Sequence, residues 1–235
     1  MMPAQKYVLP DRIAWLEARK NHIGGSDAAA CVGLSPYKDN VQLWEEKMGL
    51  VLPEDISDRD YVRYGTEAEG HLRALFAMDF PQYQVLYEEN NMFLNPEYPW
   101  MHASLDGELV DPEGRHGILE IKTTEILQGA QTVKWNGRIP DQYYCQILHY
   151  LAVTGYDFVV LKAQLKDSRS GELRITTKHY FMERDEVLED IRWLVEAEKG
   201  FWDCVVSGRR PYLILSLIHI FVRQFGPYLS WAQDI

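Results

Sequence analysis

No run of about 18 consecutive apolar residues occurs in this chain of 235 residues, so no membrane-spanning helix is expected. Cysteine is scarce: Cys31, Cys145 and Cys204 are far apart and form no CxxC pair. That spacing excludes a disulfide framework and predicts three reduced, mostly buried thiols. The opening stretch Met1-Met2-Pro3-Ala4-Gln5-Lys6-Tyr7 has no apolar run of leader length, and the expected location is the cytoplasm. Positive charge is short as well, with 24 lysines and arginines against 35 acids and a net charge of −11. Such a surface is a poor general binder of nucleic acid, because phosphate contacts draw on lysine and arginine. Any such binding requires a local basic channel on an acidic body, and Arg59, Arg63, Lys134 and Arg138 are candidates for it.

What is present is 46% hydrophobic sequence, enough for one substantial core. The pattern alternates helical and strand-like segments and predicts an α/β fold with a central mixed β-sheet flanked by helices. Asp11 caps a helix over 12–19; a Gly24-Gly25 turn follows, with Ser26 as N-cap for 27–31. A helix over 41–48 stops at Gly49, an acidic loop covers 53–58, and a long helix spans 61–78. Strands are expected over 84–94, 103–110 and 117–122, the last two joined by the turn Asp111-Pro112-Glu113-Gly114. A polar segment over 128–138 reads as flexible, and Pro140 opens a helix to 153. Strands over 158–165 and 174–181 precede an amphipathic helix over 185–206. Neither an internal repeat nor a domain linker is visible.

The chemistry is concentrated in Leu105-Asp106-Gly107 and Leu119-Glu120-Ile121-Lys122. Strand side chains alternate faces, so Glu120 and Lys122 point together while Ile121 turns into the core and leaves its carbonyl beside them. Two carboxylates, a carbonyl and an amine form the pattern of a metal-dependent nuclease. Oxygen donors suit Mg²⁺ or Mn²⁺, and an ammonium can orient water or offset charge on phosphate. A third acid follows from helical spacing. Gly65, Ala68, Leu72, Leu75 and Phe76 form an apolar stripe, and Glu69 falls on it. A carboxylate facing a core needs a partner: a metal, an arginine, or capping by backbone amides. Glu67 projects elsewhere, as a supporting or solvated residue.

Five elements stand in a recognisable order: Arg19 with Gly-Gly-Ser26-Asp, Tyr64-Gly65-Thr66-Glu67-Ala68-Glu69, Ser104-Leu105-Asp106-Gly107, Leu119-Glu120-Ile121-Lys122, and Gln146 with Tyr150. This order resembles the YqaJ-like viral recombinase family, which includes the phage lambda exonuclease, within the PD-(D/E)XK nucleases. The resemblance implies a restriction-endonuclease-like core over 1–212 and a 5′→3′ exonuclease acting on linear double-stranded DNA ends. Glu69, Asp106, Glu120 and the Ile121 carbonyl would hold Mg²⁺ or Mn²⁺, two ions per site, with Lys122 positioning the attacking water. Arg19, Ser26, Ser104 and Gln146 would form a pocket for a 5′-terminal phosphate, and Glu67 and Tyr150 would support the site. It further implies a single-strand annealing protein as partner, a homotrimer, and a phage or prophage origin in a bacterial host. Leu105 stands where a proline often precedes the aspartate, a position that is not a ligand.

Other readings stay open. The same skeleton serves endonucleases, and a nuclease fold can persist as a non-catalytic DNA-binding module. Three scattered cysteines argue against the relatives that carry a four-cysteine iron–sulfur cluster. His71 and His149 read as helix-packing residues and His102 as a strand or surface residue. Trp44, Trp100, Trp135, Trp193 and Trp202 read mainly as core, with Trp135 also a candidate to stack on an unpaired base. The tail from about 213 contains Leu215-Ser216-Leu217-Ile218-His219-Ile220, which resembles a translated sequencing-library adaptor. It is either a cloning or assembly scar over 213–235 or a native C-terminal strand.

Overall fold

A computed structural model describes residues 3–214. Strand β1 (Gln5–Val8) is followed by helix α1 (Arg12–Lys20), whose N-cap Asp11 accepts the Ala14 amide at 2.8 Å. Strand β2 (Ile23–Gly24) leads directly into α2 (Gly25–Cys31), and α3 spans Asn40–Lys47 behind a capping box built by Asp39 and Gln42. The long helix α4 is Asp60–Asp79. Four short strands follow: β3 (Gln84–Leu86), β4 (Asn91–Leu94), β5 (Met101–Ala103) and β6 (Gly107–Val110). The long strand β7 (His116–Ile126) precedes α5 (Gly129–Lys134) and α6 (Asp141–Thr154). Strands β8 (Phe158–Asp167) and β9 (Arg174–Glu183), a 3₁₀ turn (Arg184–Val187) and α7 (Leu188–Ser207) complete the fold.

The expected central mixed sheet is present, and a second, smaller mixed sheet accompanies it. The central sheet has the order β3-β6-β7-β8-β9, and a smaller one has the order β1-β4-β5-β2. Each of the segments expected as single strands over 84–94 and 103–110 is divided between the two sheets. An apolar run carries no mark of where the chain crosses from one sheet to the next, so the sequence pattern alone cannot divide it. The β7–β8 pair is parallel over ten residues and lies at the centre, with α6 on one face and α4 on the other. Leu72 and Phe76 of α4 pack on Leu119, Ile121 and Val160, whereas Ile147, Leu148 and Leu151 of α6 pack on Ile118, Val159 and Leu161.

One feature of the strand pairing shapes the site. Strand β6 pairs with β7 only through Leu119, whereas β7 pairs with β8 as far as Ile126. From Glu120 onward β7 has no β6 neighbour. The resulting opening joins the α4 and α6 faces of the sheet.

Several local expectations need correction. Ser26 is not the N-cap of α2; Gly24 holds that place, and Ser26 lies inside the first turn. Gly24 and Gly25 are not turn glycines with positive φ. They are required by close approach, since a Cβ at Gly24 would lie 2.6 Å from the His102 ring and one at Gly25 2.4 Å from the Tyr150 ring. The segment over 128–138 contains α5, and Trp135 is buried with its carbonyl accepting the Tyr180 hydroxyl at 2.5 Å, so it does not present a stacking surface. Trp193 is half exposed and His71 is exposed. The three cysteines are free and buried, as expected.

His149 is fully buried, with Nδ1 2.9 and 3.0 Å from the two Glu198 carboxylate oxygens and Nε2 2.9 Å from the His102 carbonyl. This arrangement ties α6 to α7 and β5. At the far end, the Ile214 amide donates to Asn40 Oδ1 at 3.0 Å while Asn40 Nδ2 donates to the Tyr212 carbonyl at 2.8 Å. The described residues end at Ile214, and the remainder of the suspected scar, 215–235, lies outside them.

Phe76 is fully buried between α4 and the central sheet. Phe76→Ala is expected to lower unfolding free energy by about 3–5 kcal/mol, read from urea denaturation followed by circular dichroism.

Candidate active site

Asp106 lies immediately before β6, at the mouth of the opening. Its Oδ2 accepts the Ile121 amide at 2.8 Å, which locks the carboxylate against β7. Glu120 is almost fully buried on β7, and its Oε1 accepts from Lys122 Nζ. The ammonium also lies 5.4 Å from the Tyr143 ring centroid on α6. Glu69 reaches the same place from α4. Its carboxylate accepts from Arg73 at 3.0 Å, and the same Arg73 nitrogen donates to the Asp106 carbonyl. The arginine partner expected for a core-edge acid is therefore present. Glu67 stays exposed on α4.

The electrostatics record the crowding. Burial and the Asp106 charge push the Glu69 carboxyl up, and burial raises Asp106 against the pull of Lys122 and the Ile121 amide. Glu120 is pushed up to about 8 by burial and by the charges of Asp106 and Glu69, with Lys122 opposing. Lys122 is held charged, since the carboxylates of Glu120 and Asp106 outweigh the cost of its burial. Among the described residues, no three of His, Cys, Asp and Glu already enclose a position for a metal ion. Each carboxylate instead has a nearer partner: Arg73, the Ile121 amide or Lys122. One donor is nevertheless free, because Glu120 Oε2 is buried without any hydrogen-bond partner. A buried carboxylate oxygen without a partner is unfavourable unless a cation or a proton satisfies it. The oxygen-only donor set fits a hard divalent cation.

A second cluster lies beside this centre. Arg19 Nη2 donates to Ser26 Oγ at 3.2 Å, and its guanidinium stacks 4.3 Å from the Trp15 ring centroid. Trp15 Nε1 donates to Ser104 Oγ at 3.1 Å, so one indole joins Arg19, Ser26 and Ser104. Gln146 Nε2 donates to the Tyr150 hydroxyl at 3.0 Å, and both side chains press on Gly25, one residue before Ser26. The buried Tyr150 ring packs against Gly25, and burial together with the Glu120 charge raises its hydroxyl.

The sequence profile of the YqaJ-like viral recombinase domain matches residues 14–157, a span that holds every residue of both clusters. The chain belongs to this family. Within it, the Bacillus subtilis (strain 168) protein YqaJ is 32% identical over 204 residues, covering 86% of this chain and 59% of its own length. Solved structures share the fold. The Laribacter hongkongensis alkaline exonuclease LHK-Exo matches with a TM-score of 0.58 at 22% identity, over 83% of this chain and 95% of that one. A phage-related exonuclease from Haemophilus somnus 129PT matches with a TM-score of 0.52 at 16% identity, over 80% of this chain and 96% of that one. The fold is thus the restriction-endonuclease-like α/β arrangement of phage-type exonucleases.

In this YqaJ-like chain, Arg73 and Trp15 escaped the sequence reading. Helical spacing carried a signal for both, since Arg73 follows Glu69 by four residues and Trp15 precedes Arg19 by four. Of the residues expected to line a basic channel, Arg59 pairs with Glu54 and Arg63 with Asp60, while Lys134 and Arg138 are exposed. Among the described residues, Arg19, Arg73 and Lys122 are cations within the two clusters.

Burial and the neighbouring carboxylates push the folded-state Glu120 carboxyl up from an ordinary 4.5 to about 8. An acid raised by folding stabilises the fold fully below its unfolded value and loses that contribution as pH rises through the folded one. Metal-free protein is therefore expected to melt at lower temperature at pH 9 than at pH 5, and Glu120→Gln to flatten the difference. Melting curves in chelator across that range test it; an unchanged slope in the variant assigns the effect to other groups.

Proposed function

We propose that this protein is a divalent-cation-dependent deoxyribonuclease, a 5′→3′ exonuclease that resects linear double-stranded DNA ends for phage-type recombination by single-strand annealing. The observation that carries the reading is the convergence of Glu69, Asp106, Glu120 and Lys122 at the opening where β6 ends, with Glu120 Oε2 buried and unpartnered. A module that only binds DNA has no use for mutually repelling buried acids. Family membership and the exonuclease names of the structural neighbours support the same reading.

Glu69, Asp106, Glu120 and the Ile121 carbonyl would hold Mg²⁺ or Mn²⁺, two ions by family resemblance. When bound, such ions supply Lewis-acid activation of water and neutralise charge on the scissile phosphate. Lys122, kept protonated beside Glu120, would orient the attacking water and offset the charge that builds on phosphate oxygen. Arg19 would grip a 5′-terminal phosphate through its guanidinium, with the Ser26, Ser104 and Gln146 polar groups completing the pocket. Stacking on Trp15 restricts the Arg19 side chain before DNA arrives, which lowers the entropy lost on binding. Tyr150 would hold Gln146 in register with the carboxylates. A trimer around DNA, an annealing-protein partner, and a phage or prophage setting in the bacterial cytoplasm complete the proposal. No helix among the described residues is long and apolar enough to cross a membrane.

The test presents linear duplex DNA labelled at either end, beside a covalently closed circle, to purified protein with Mg²⁺. Loss of 5′-phosphorylated linear DNA that spares the circle is expected, and Lys122→Ala should slow it by roughly 10²–10⁴-fold. Cutting of the circle indicates an endonuclease instead, and binding without cleavage indicates a non-catalytic module. On the same substrates, Arg19→Ala is expected to act mainly on the preference for 5′-phosphate over 5′-hydroxyl ends. Equal loss on both ends would remove Arg19 from the phosphate pocket.

A further inference from the structure

Arg73 touches both carriers of the outer carboxylates, α4 and the residue entering β6. Its Nη1 donates to Glu69 Oε1 at 3.0 Å and also to the Asp106 backbone carbonyl. The guanidinium carbon lies 3.4 Å from the centroid of the Tyr87 ring, and the side chain is only 15% exposed. Its aliphatic stem passes Gly107, where a Cβ would stand 3.6 Å from Arg73 Cδ and 3.2 Å from Leu119 Cβ. The glycine following Asp106 thus leaves room for this stem beside β7.

These contacts connect three separate parts of the chain: α4, the residue entering β6, and the segment after β3. The bond to Asp106 goes to its carbonyl, not its carboxylate, so it fixes the backbone without consuming either acid oxygen. Asp106 Oδ2 is already held by the Ile121 amide. Glu69 and Asp106 repel each other, and without a fixed cation between their carriers the helix-borne carboxylate would swing away. A planar guanidinium can bond forward to two acceptors while stacking on an aromatic ring; an ammonium cannot do both.

We propose that Arg73 is a positioning residue that sets the Glu69-to-Asp106 spacing of the cation site before any cation binds. This rests on the divalent-cation reading of the site. Geometry, rather than charge, is its contribution, and that separates it from a mere counter-ion.

The experiment measures Mn²⁺ affinity of the metal-free full chain by isothermal titration calorimetry and by electron paramagnetic resonance, without DNA. Wild type is compared with Arg73→Lys, Arg73→Met and Tyr87→Leu, each checked for native circular dichroism. Positioning predicts that both Arg73 variants weaken Mn²⁺ binding by about tenfold or more. Tyr87→Leu should weaken it in the same direction, and it carries the test if the Arg73 variants do not fold. Wild-type affinity in Arg73→Lys with loss in Arg73→Met overturns the proposal, because charge then suffices. Tighter binding in Arg73→Met also overturns it, because the guanidinium then competes with the cation. A wild type that binds no Mn²⁺ overturns the cation reading and this proposal together, whereas unaltered binding in all three variants overturns this proposal alone.

Discussion

Like charges brought together out of water repel strongly, and the site is organised around Glu69, Asp106 and Glu120 under that repulsion. They meet because β7 extends past its β6 neighbour, so that a helix on one face and a strand end on the other open into the same space. A closed sheet at Glu120 would have kept Glu69 and Glu120 on opposite sides of a hydrogen-bonded wall. Arg73 and Lys122 supply the counter-charge from within the chain, and the unpartnered Glu120 oxygen is what they leave over.

Helix α6 links this centre to the Arg19 cluster. Gln146 and Tyr150 lie four residues apart on one face and press on Gly25, while His149 turns inward to Glu198 and the His102 carbonyl. The carbonyl can only accept, so His149 Nε2 carries a hydrogen. One further proton then lies between Nδ1 and Glu198, so this buried contact holds α6 against both α7 and β5. The same helix carries Gln146 and Tyr150, so the anchor at His149 and the polar cluster share one rigid element. Gly24 and Gly25 serve the same end. They admit the His102 and Tyr150 rings at distances that no side chain at either position would allow.

Much of the local structure was legible. Asp11 accepts an amide of the helix that follows it, and Gly49 takes positive φ just past α3. Asp111 closes the predicted turn by accepting the Glu113 and Arg115 amides. These signals need only neighbours within a few residues. The acid-x-lysine pair was legible for the same reason, since strand alternation alone puts Glu120 and Lys122 on one face. Trp193 was misjudged because an aromatic ring on an amphipathic helix has no local mark of which edge stays exposed.

The sequence by itself determined the longer helices, the turn at Asp111, the face shared by Glu120 and Lys122, and the heading of Glu69 toward the apolar stripe of α4, all of which follow from local chemistry and backbone periodicity. Tertiary structure alone decided which strands share a sheet, that β6 stops short of Glu120, that Arg73 reaches the Asp106 carbonyl, and that Trp15 reaches Ser104. The reason is physical: those outcomes depend on strand register and on side chains separated by tens of residues, such as Trp15 and Ser104, and the energy of such contacts is not encoded in any local window.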